Sequence, residues 1–239
     1  MGMKEAVIVI IIILAGLMRG TTGFGGAMLM APSLSFLTGP VSAVSTALTL
    51  ETAAALIMFL DAWPKINKKV LLSLLVPACV TVPIGGYLLI TVDPFIARKL
   101  ISGVVVVFSL ILMAGPRHTT APKTVTSLAL GGIAGLFLGA TSIGAPPVIL
   151  FLLSGPDPQA VTRANLTVFV TAISAIGLVM MIAAGAIPPR QWLSVSALCV
   201  PYLAAAWLGG AAFARLSDTA LRRLALGFML SMGVIGFLL

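Results

Sequence analysis

Apolar residues run along this chain in stretches too long and too continuous for half-buried strands, and two clusters of small and hydroxyl residues interrupt them. The first cluster is Gly20-Thr21-Thr22-Gly23-Phe24-Gly25-Gly26; the second is Gly139-Ala140-Thr141-Ser142-Ile143-Gly144-Ala145-Pro146-Pro147. Each breaks a longer apolar segment, near 6–37 and 125–153. Three unbroken runs follow each, near 44–62, 70–90 and 96–115, then near 160–184, 192–213 and 220–238. Proline, glycine and charged residues punctuate them at Trp63-Pro64, Val92-Asp93-Pro94, the polar stretch Pro116 to Lys123, Ile187-Pro188-Pro189 and Leu216-Ser217-Asp218. Runs of this length predict membrane-crossing helices, and the whole an all-α polytopic membrane protein. Trp63 and Trp192 stand at equivalent helix starts, where aromatic side chains anchor at the bilayer interface.

The chain repeats itself. Pro77, Gly85, Gly86, Arg98, Lys99, Leu100 and Gly103 match Pro201, Gly209, Gly210, Arg222, Arg223, Leu224 and Gly227 at a constant offset of 124. Upstream, Gly16-Leu17, Gly20, Thr22 and Gly25 match Gly135-Leu136, Gly139, Thr141 and Gly144 at 119, and Ala43-Val44-Ser45 matches Ala160-Val161-Thr162 at 117. The expected organisation is a first repeat over 1–115, a connector over 116–123 and a second repeat over 124–239, each a glycine-broken helix followed by three spans.

The broken segment of 32 residues, Ala6 to Leu37, is too long for one crossing and too short for two. As a single helix it would measure about 48 Å against a hydrocarbon core of about 30 Å. A re-entrant hairpin fits it. Charge gives a second test. If each broken segment crosses once, the basic residues split seven to six across the membrane; if each is a hairpin, they split nine to four, with Lys4, Arg98, Lys99 and Arg190 on the poorer side. Only the hairpin obeys the positive-inside rule. Three full crossings per half is an odd number, so the halves are expected to be inverted, with both termini outside.

Composition narrows the function. The 239 residues are 60% hydrophobic and 8% charged, with a mean hydropathy of +1.19, a balance that only a membrane protein sustains. The net charge of +8 comes from basic residues scattered between apolar runs, which the positive-inside bias explains without nucleic acid. Cys79 and Cys199 each lie near a proline inside an apolar segment, and no CxxC or Cys/His cluster implies a metal or redox cofactor. Catalysis finds no footing: His118, the only histidine, falls in the connector, there is no HExxH helix, and no GxxxxGK[ST] loop offers ATP-driven transport.

A helix that unwinds inside a bilayer must turn its freed amides toward protein, water or a solute. Beyond each cluster a half-helix begins, near Ala27 and near Pro147, with its positive dipole end directed inward, and such a terminus suits an anion. The candidate substrate-binding residues are therefore Arg19, Thr21, Thr22, Gly23, Gly25, Gly26, Thr141, Ser142 and Gly144, with Asn165 lining the cavity from a neighbouring helix. Arg19 and Glu51 are charges at membrane depth, where ionisable groups are functional candidates by default. Their repeat counterparts are Leu138 and Val168, so symmetry requires neither. Arg19 is a candidate partner for an anionic solute, and Glu51 for Arg19 itself or for a coupling proton. The alternatives are a permanent Arg19–Glu51 pair and a sodium site made from unwound carbonyls and hydroxyls.

The glycine-rich element from Gly16 to Gly26, its repeat from Gly135 to Pro147, the Ala-Val-Ser/Thr helix starts and the Gly-Gly plus basic-pair endings together resemble the sulfite exporter TauE/SafE family over essentially the full length. The family commonly carries a third glycine where this chain has Ala27, and the second cluster reads Gly144-Ala145-Pro146. The resemblance implies a multi-pass permease of the bacterial inner membrane moving small sulfur-containing or organic anions such as sulfite, sulfonates and sulfoacetate, mostly outward. An anion channel and a sodium-coupled carboxylate permease are the other readings, and an oligomer is left open.

Overall fold

The computed structural model describes residues 2–22, 25–114, 124–153, 155–213 and 218–238. Among these residues there are ten α-helices and no strand. The first half comprises α1 (Met3–Thr22), α2 (Gly25–Thr38), α3 (Pro40–Ala62), a 3₁₀ turn at Trp63–Lys65, α4 (Lys68–Thr91) and α5 (Pro94–Ala114). The second comprises α6 (Thr124–Thr141), α7 (Ala145–Leu153), α8 (Gln159–Ala183), α9 (Pro189–Phe213) and α10 (Asp218–Leu238). Gly23 and the connector 116–123 lie outside the described residues, as does Arg215, and nothing is described of the Arg222 and Arg223 side chains.

Among the described residues, α3, α4, α5, α6, α8 and α9 are long and apolar enough to cross a bilayer, and α10 is apolar from Leu226 to Leu238. The helices begin where the chain supplies a start. Pro40 occupies the first turn of α3, where its missing amide costs nothing, so this helix starts four residues before the expected position at 44. Asn67 caps α4 through its side chain, which accepts the Val70 amide at 3.4 Å. Leu72, Val76 and Val80 on α4 and Trp207 on α9 are more than half exposed, the apolar exterior that lipid covers.

Each broken segment is a hairpin with unequal arms. Lys4 and Glu5 at the start of α1 line the same cavity as Thr38 at the end of α2 and Pro40 at the start of α3, so the segment begins and ends on one side. The first arms, of 20 and 18 residues, are not half-helices but reach about bilayer length, whereas α2 and α7 have 14 and 9.

The long first arms pack across the halves, α1 along α9 and α6 along α4. Glycine makes this approach possible. A Cβ on Gly16 or Gly20 would run into the carbonyl of Tyr202 or Ala206, and one on Gly209 into that of Leu17. The counterparts behave alike: Gly135 meets the Ala78 carbonyl, Gly139 that of Val82 and Gly85 that of Leu136. Small residues at such contacts let backbones meet where lipid offers no hydrophobic drive to association. At the centre α3 packs on α8, antiparallel, with Leu48 against Gly177 and Asn67, beyond the far end of α3, bonded to Asn165. Likewise α5 runs antiparallel to α10, Gly103 facing Phe237 while Val105 and Val106 face Gly233.

Candidate functional site

Glu51 stands twelfth of the 23 residues of α3, at the middle of the helix, where the expected start at 44 would have put it about seven residues into its span. Its carboxylate is 4% exposed and has three partners from three other helices. The Ala27 amide in the first turn of α2 donates to Oε1 at 3.0 Å. The Tyr202 hydroxyl on α9 donates to the same oxygen at 2.8 Å. Arg19 Nε, near the end of α1, lies 3.0 Å from Oε2 as an ion pair not aligned for an Nε–H hydrogen bond. The start of the broken helix thus holds an anion already, and that anion is a side chain of the protein.

Gly26 is what lets the carboxylate in. A Cβ there would collide with Tyr202 Oη and Glu51 Oε1, and the matching position of the second half holds Ala145.

The second break is built differently. Ser142 has φ of +60°, a left-handed conformation that is uncommon for a residue with a Cβ and ends α6, its amide donating to the Leu138 carbonyl at 2.7 Å. Thr141 Oγ1 donates to the Phe137 carbonyl at 2.7 Å and accepts the Ile143 amide at 3.2 Å, so it is spent within the turn. The Ser142 hydroxyl is buried with no hydrogen-bond partner. Ser142 lines a cavity of about 20 Å³ together with Ala27, Glu51, Gly144, Ala145 and Ser174, and this cavity joins the two breaks. That volume accommodates about one water and no polyatomic oxyanion.

Of the residues expected at the site, Arg19, Glu51, Gly26, Ser142 and Gly144 are brought together around this cavity or its carboxylate. Gly25 is buried as the first residue of α2. Thr21 is half-buried and donates to the Met18 carbonyl, and Thr22 is the last residue of α1. Asn165 sits elsewhere: its Oδ1 accepts the Asn67 amide at 2.9 Å, and the Asn67 side chain donates to Asp157 at 3.0 and 3.2 Å. It is removed from the breaks because the register of α8 against α3 carries it to the end where α4 begins. Sequence reasoning missed Tyr202, although the signal was present: its counterpart at the offset of 124 is Ala78, so it breaks the repeat just as Arg19 and Glu51 do.

A second cavity, of about 1010 Å³, opens at the side where α1, α3, α5 and α9 begin and carries Lys4, Glu5 and Arg190 on its wall. Among the described residues no cluster of three His, Cys, Asp or Glu side chains could hold a metal ion.

The sequence profile of the sulfite exporter TauE/SafE family matches residues 8–235. The chain belongs to that family. It is accordingly a multi-pass membrane transporter. No curated protein and no solved structure matches it.

Proposed function

We propose that this protein carries a small anion across the bacterial inner membrane, outward, and that the anion is a sulfur-containing or organic one such as sulfite, a sulfonate or sulfoacetate. One observation carries the reading: two helices, α2 and α7, start at a single buried cavity between the halves, and the first turn of α2 already holds a carboxylate. The family membership agrees with it.

The transport cycle is alternating access, in which one inverted repeat rocks against the other. Counterpart helices α3 and α8 run antiparallel, as do α5 and α10, and the glycine contacts recur at the offsets of 119 and 124; both support two inverted halves, 1–115 and 124–239. Lys4, Arg190 and the Arg98–Phe36 contact on one side, against Lys65, Lys68 and Lys69 on the other, support termini that face outward. The wide cavity would then be the outer vestibule. Glu51 takes part in a proton-linked step of that cycle, and sodium coupling is the competing design.

A thermal-shift screen of the purified protein against sulfite, sulfonates, sulfoacetate and simple carboxylates tests the substrate class, since a ligand that binds only the folded state raises its melting temperature. Stabilisation by none of these anions would remove the proposal.

A further inference from the structure

Two hydrogen-bond donors and one ion-paired guanidinium around Glu51 form an oxyanion site. A helix-start amide, a phenolic hydroxyl and a guanidinium are the groups that recognise a carboxylate or sulfonate, and they converge on one point from α2, α9 and α1. Two of the three partners, and the occupant, have apolar counterparts in the opposite half: Leu138 for Arg19, Ala78 for Tyr202 and Val168 for Glu51. Three chain segments, in α1, α3 and α9, have departed from the repeat at one point in space. A structural ion pair needs no such hydroxyl, no opened glycine at Gly26 and no adjoining space.

That space is present. Glu51 also lines the cavity of about 20 Å³, and so does Ser142, whose hydroxyl is buried, in a left-handed turn and without a partner. An orphaned buried hydroxyl costs free energy unless some state of the molecule satisfies it. The side chain placed to do so is Glu51, and a neutral carboxyl needs only one such partner.

We propose that Glu51 is a tethered anion occupying the solute's own site, and that the transported oxyanion displaces it from Arg19, Tyr202 and the Ala27 amide, one carboxyl oxygen turning into the water-sized cavity that Ser142 also lines. This rests on the anion-carrier reading above and adds to it the ligands, the competitor and the proton count. Two anions cannot share one guanidinium in a buried site, so the displaced carboxylate must lose its charge. One proton from the aqueous side adds to a Glu51 oxygen, forming an O–H bond that donates to Ser142 Oγ, and no other bond forms or breaks. The incoming oxyanion replaces the carboxylate at the three donors, so the buried charge is unchanged. Anion and proton are therefore bound one to one, and each strengthens the other.

No other described ionisable group competes for this role. Helices α2, α6 and α7 carry none, Lys4 and Glu5 sit at the far start of α1, Arg163 on α8 and Arg190 on α9 are exposed, Cys199 is a turn from Tyr202 within an apolar cluster, α4 and α5 keep their charges at their starts, and on α4 Cys79 is half-buried and Tyr87 exposed.

Formate tests this independently of the natural solute, because it is the severed head of Glu51. In purified protein, Glu51→Ala should bind formate saturably and be stabilised by it, with at least about tenfold higher affinity than wild type. Adding Tyr202→Phe should lower that affinity about tenfold, the loss of one charge-assisted hydrogen bond. Should Glu51→Ala not fold without formate, Glu51→Gln, which keeps the volume and removes the competing charge, must show the same gain. Formate binding no tighter in either variant than in wild type would overturn the proposal while leaving the carrier function standing; the reverse result, with no sulfur anion bound by wild type, would leave a plugged site without its carrier.

Discussion

Asn67 and Gln191 stand 124 residues apart, each at the start of a counterpart helix, and each reaches across to the opposite half at opposite ends of α3. Gln191 Nε2 donates to Ser45 Oγ at 2.8 Å, to the Ser42 carbonyl at 3.1 Å and to Thr46 Oγ1 at 3.2 Å, at the end where α3 begins. Asn67 joins Asp157 and Asn165 beyond the end where α3 finishes. A carrier in which one half moves against the other must loosen contacts at alternate ends, and these are the polar contacts placed to do so.

Asn165 is expected to be a fastening residue rather than an anion ligand. Asn165→Leu leaves the half-buried Asn67 amide without its acceptor, which costs about 0.5–1.5 kcal/mol. Calorimetry or thermal melting should register that loss while the dissociation constant for a stabilising anion stays within about twofold of wild type. A large change in that constant with an unchanged melting temperature would put Asn165 back at the site.

Arg19 and Glu51 should be replaceable together but not singly. Arg19→Leu copies the second half at Leu138, yet by itself it strands the Glu51 carboxylate in a buried position and should cost about 3–5 kcal/mol. Glu51→Val added to it copies Val168 and should recover most of the loss, giving a folded protein that no longer binds the anion. Melting temperatures of the two single variants and the double variant decide this.

The glycine contacts between halves should behave as matched pairs. Gly20→Ala and Gly139→Ala each drive a methyl group into the facing backbone, at Ala206 and at Val82, and should destabilise by at least about 1–3 kcal/mol. Gly132→Ala, whose Cβ meets nothing closer than 3.8 Å, is the control that should be tolerated. Yield and melting temperature of detergent-purified protein read the difference.

Sidedness follows from the hairpins. A single cysteine at Lys68 should resist membrane-impermeant thiol reagents in whole cells, and one at Arg190 should react, with Cys79 and Cys199 replaced in both. Labelling at Lys68 from outside would invert the orientation.

The broken helices were legible because glycines and hydroxyls clustered inside an apolar run interrupt a helix at membrane depth, and the hairpin because 32 residues cannot cross once or twice without strain. The depth of Glu51 was less so: Pro40 reads as a loop residue until it is recognised as the first turn of α3. The length of the first arms was hidden for a similar reason, since no local signal in Gly16 to Gly20 says whether the helix stops at the glycines or, as it does, uses them to pack on α9 and continues to Thr22. Asn165 was misplaced because depth along a helix was inferred without the register between α3 and α8, which only tertiary packing fixes. Tyr202 carried a readable signal, a large polar side chain opposite Ala78, that a search confined to charged residues passes over.

Transport itself is the most direct test. Protein reconstituted in liposomes and loaded with sulfite or a sulfonate should take up the labelled anion by saturable exchange, accelerated by anion on the other side, and respond to an imposed pH gradient that Glu51→Gln no longer senses. Flux that neither saturates nor exchanges, or a Glu51→Gln protein with an undiminished response to pH, would contradict a carrier built around a displaceable carboxylate.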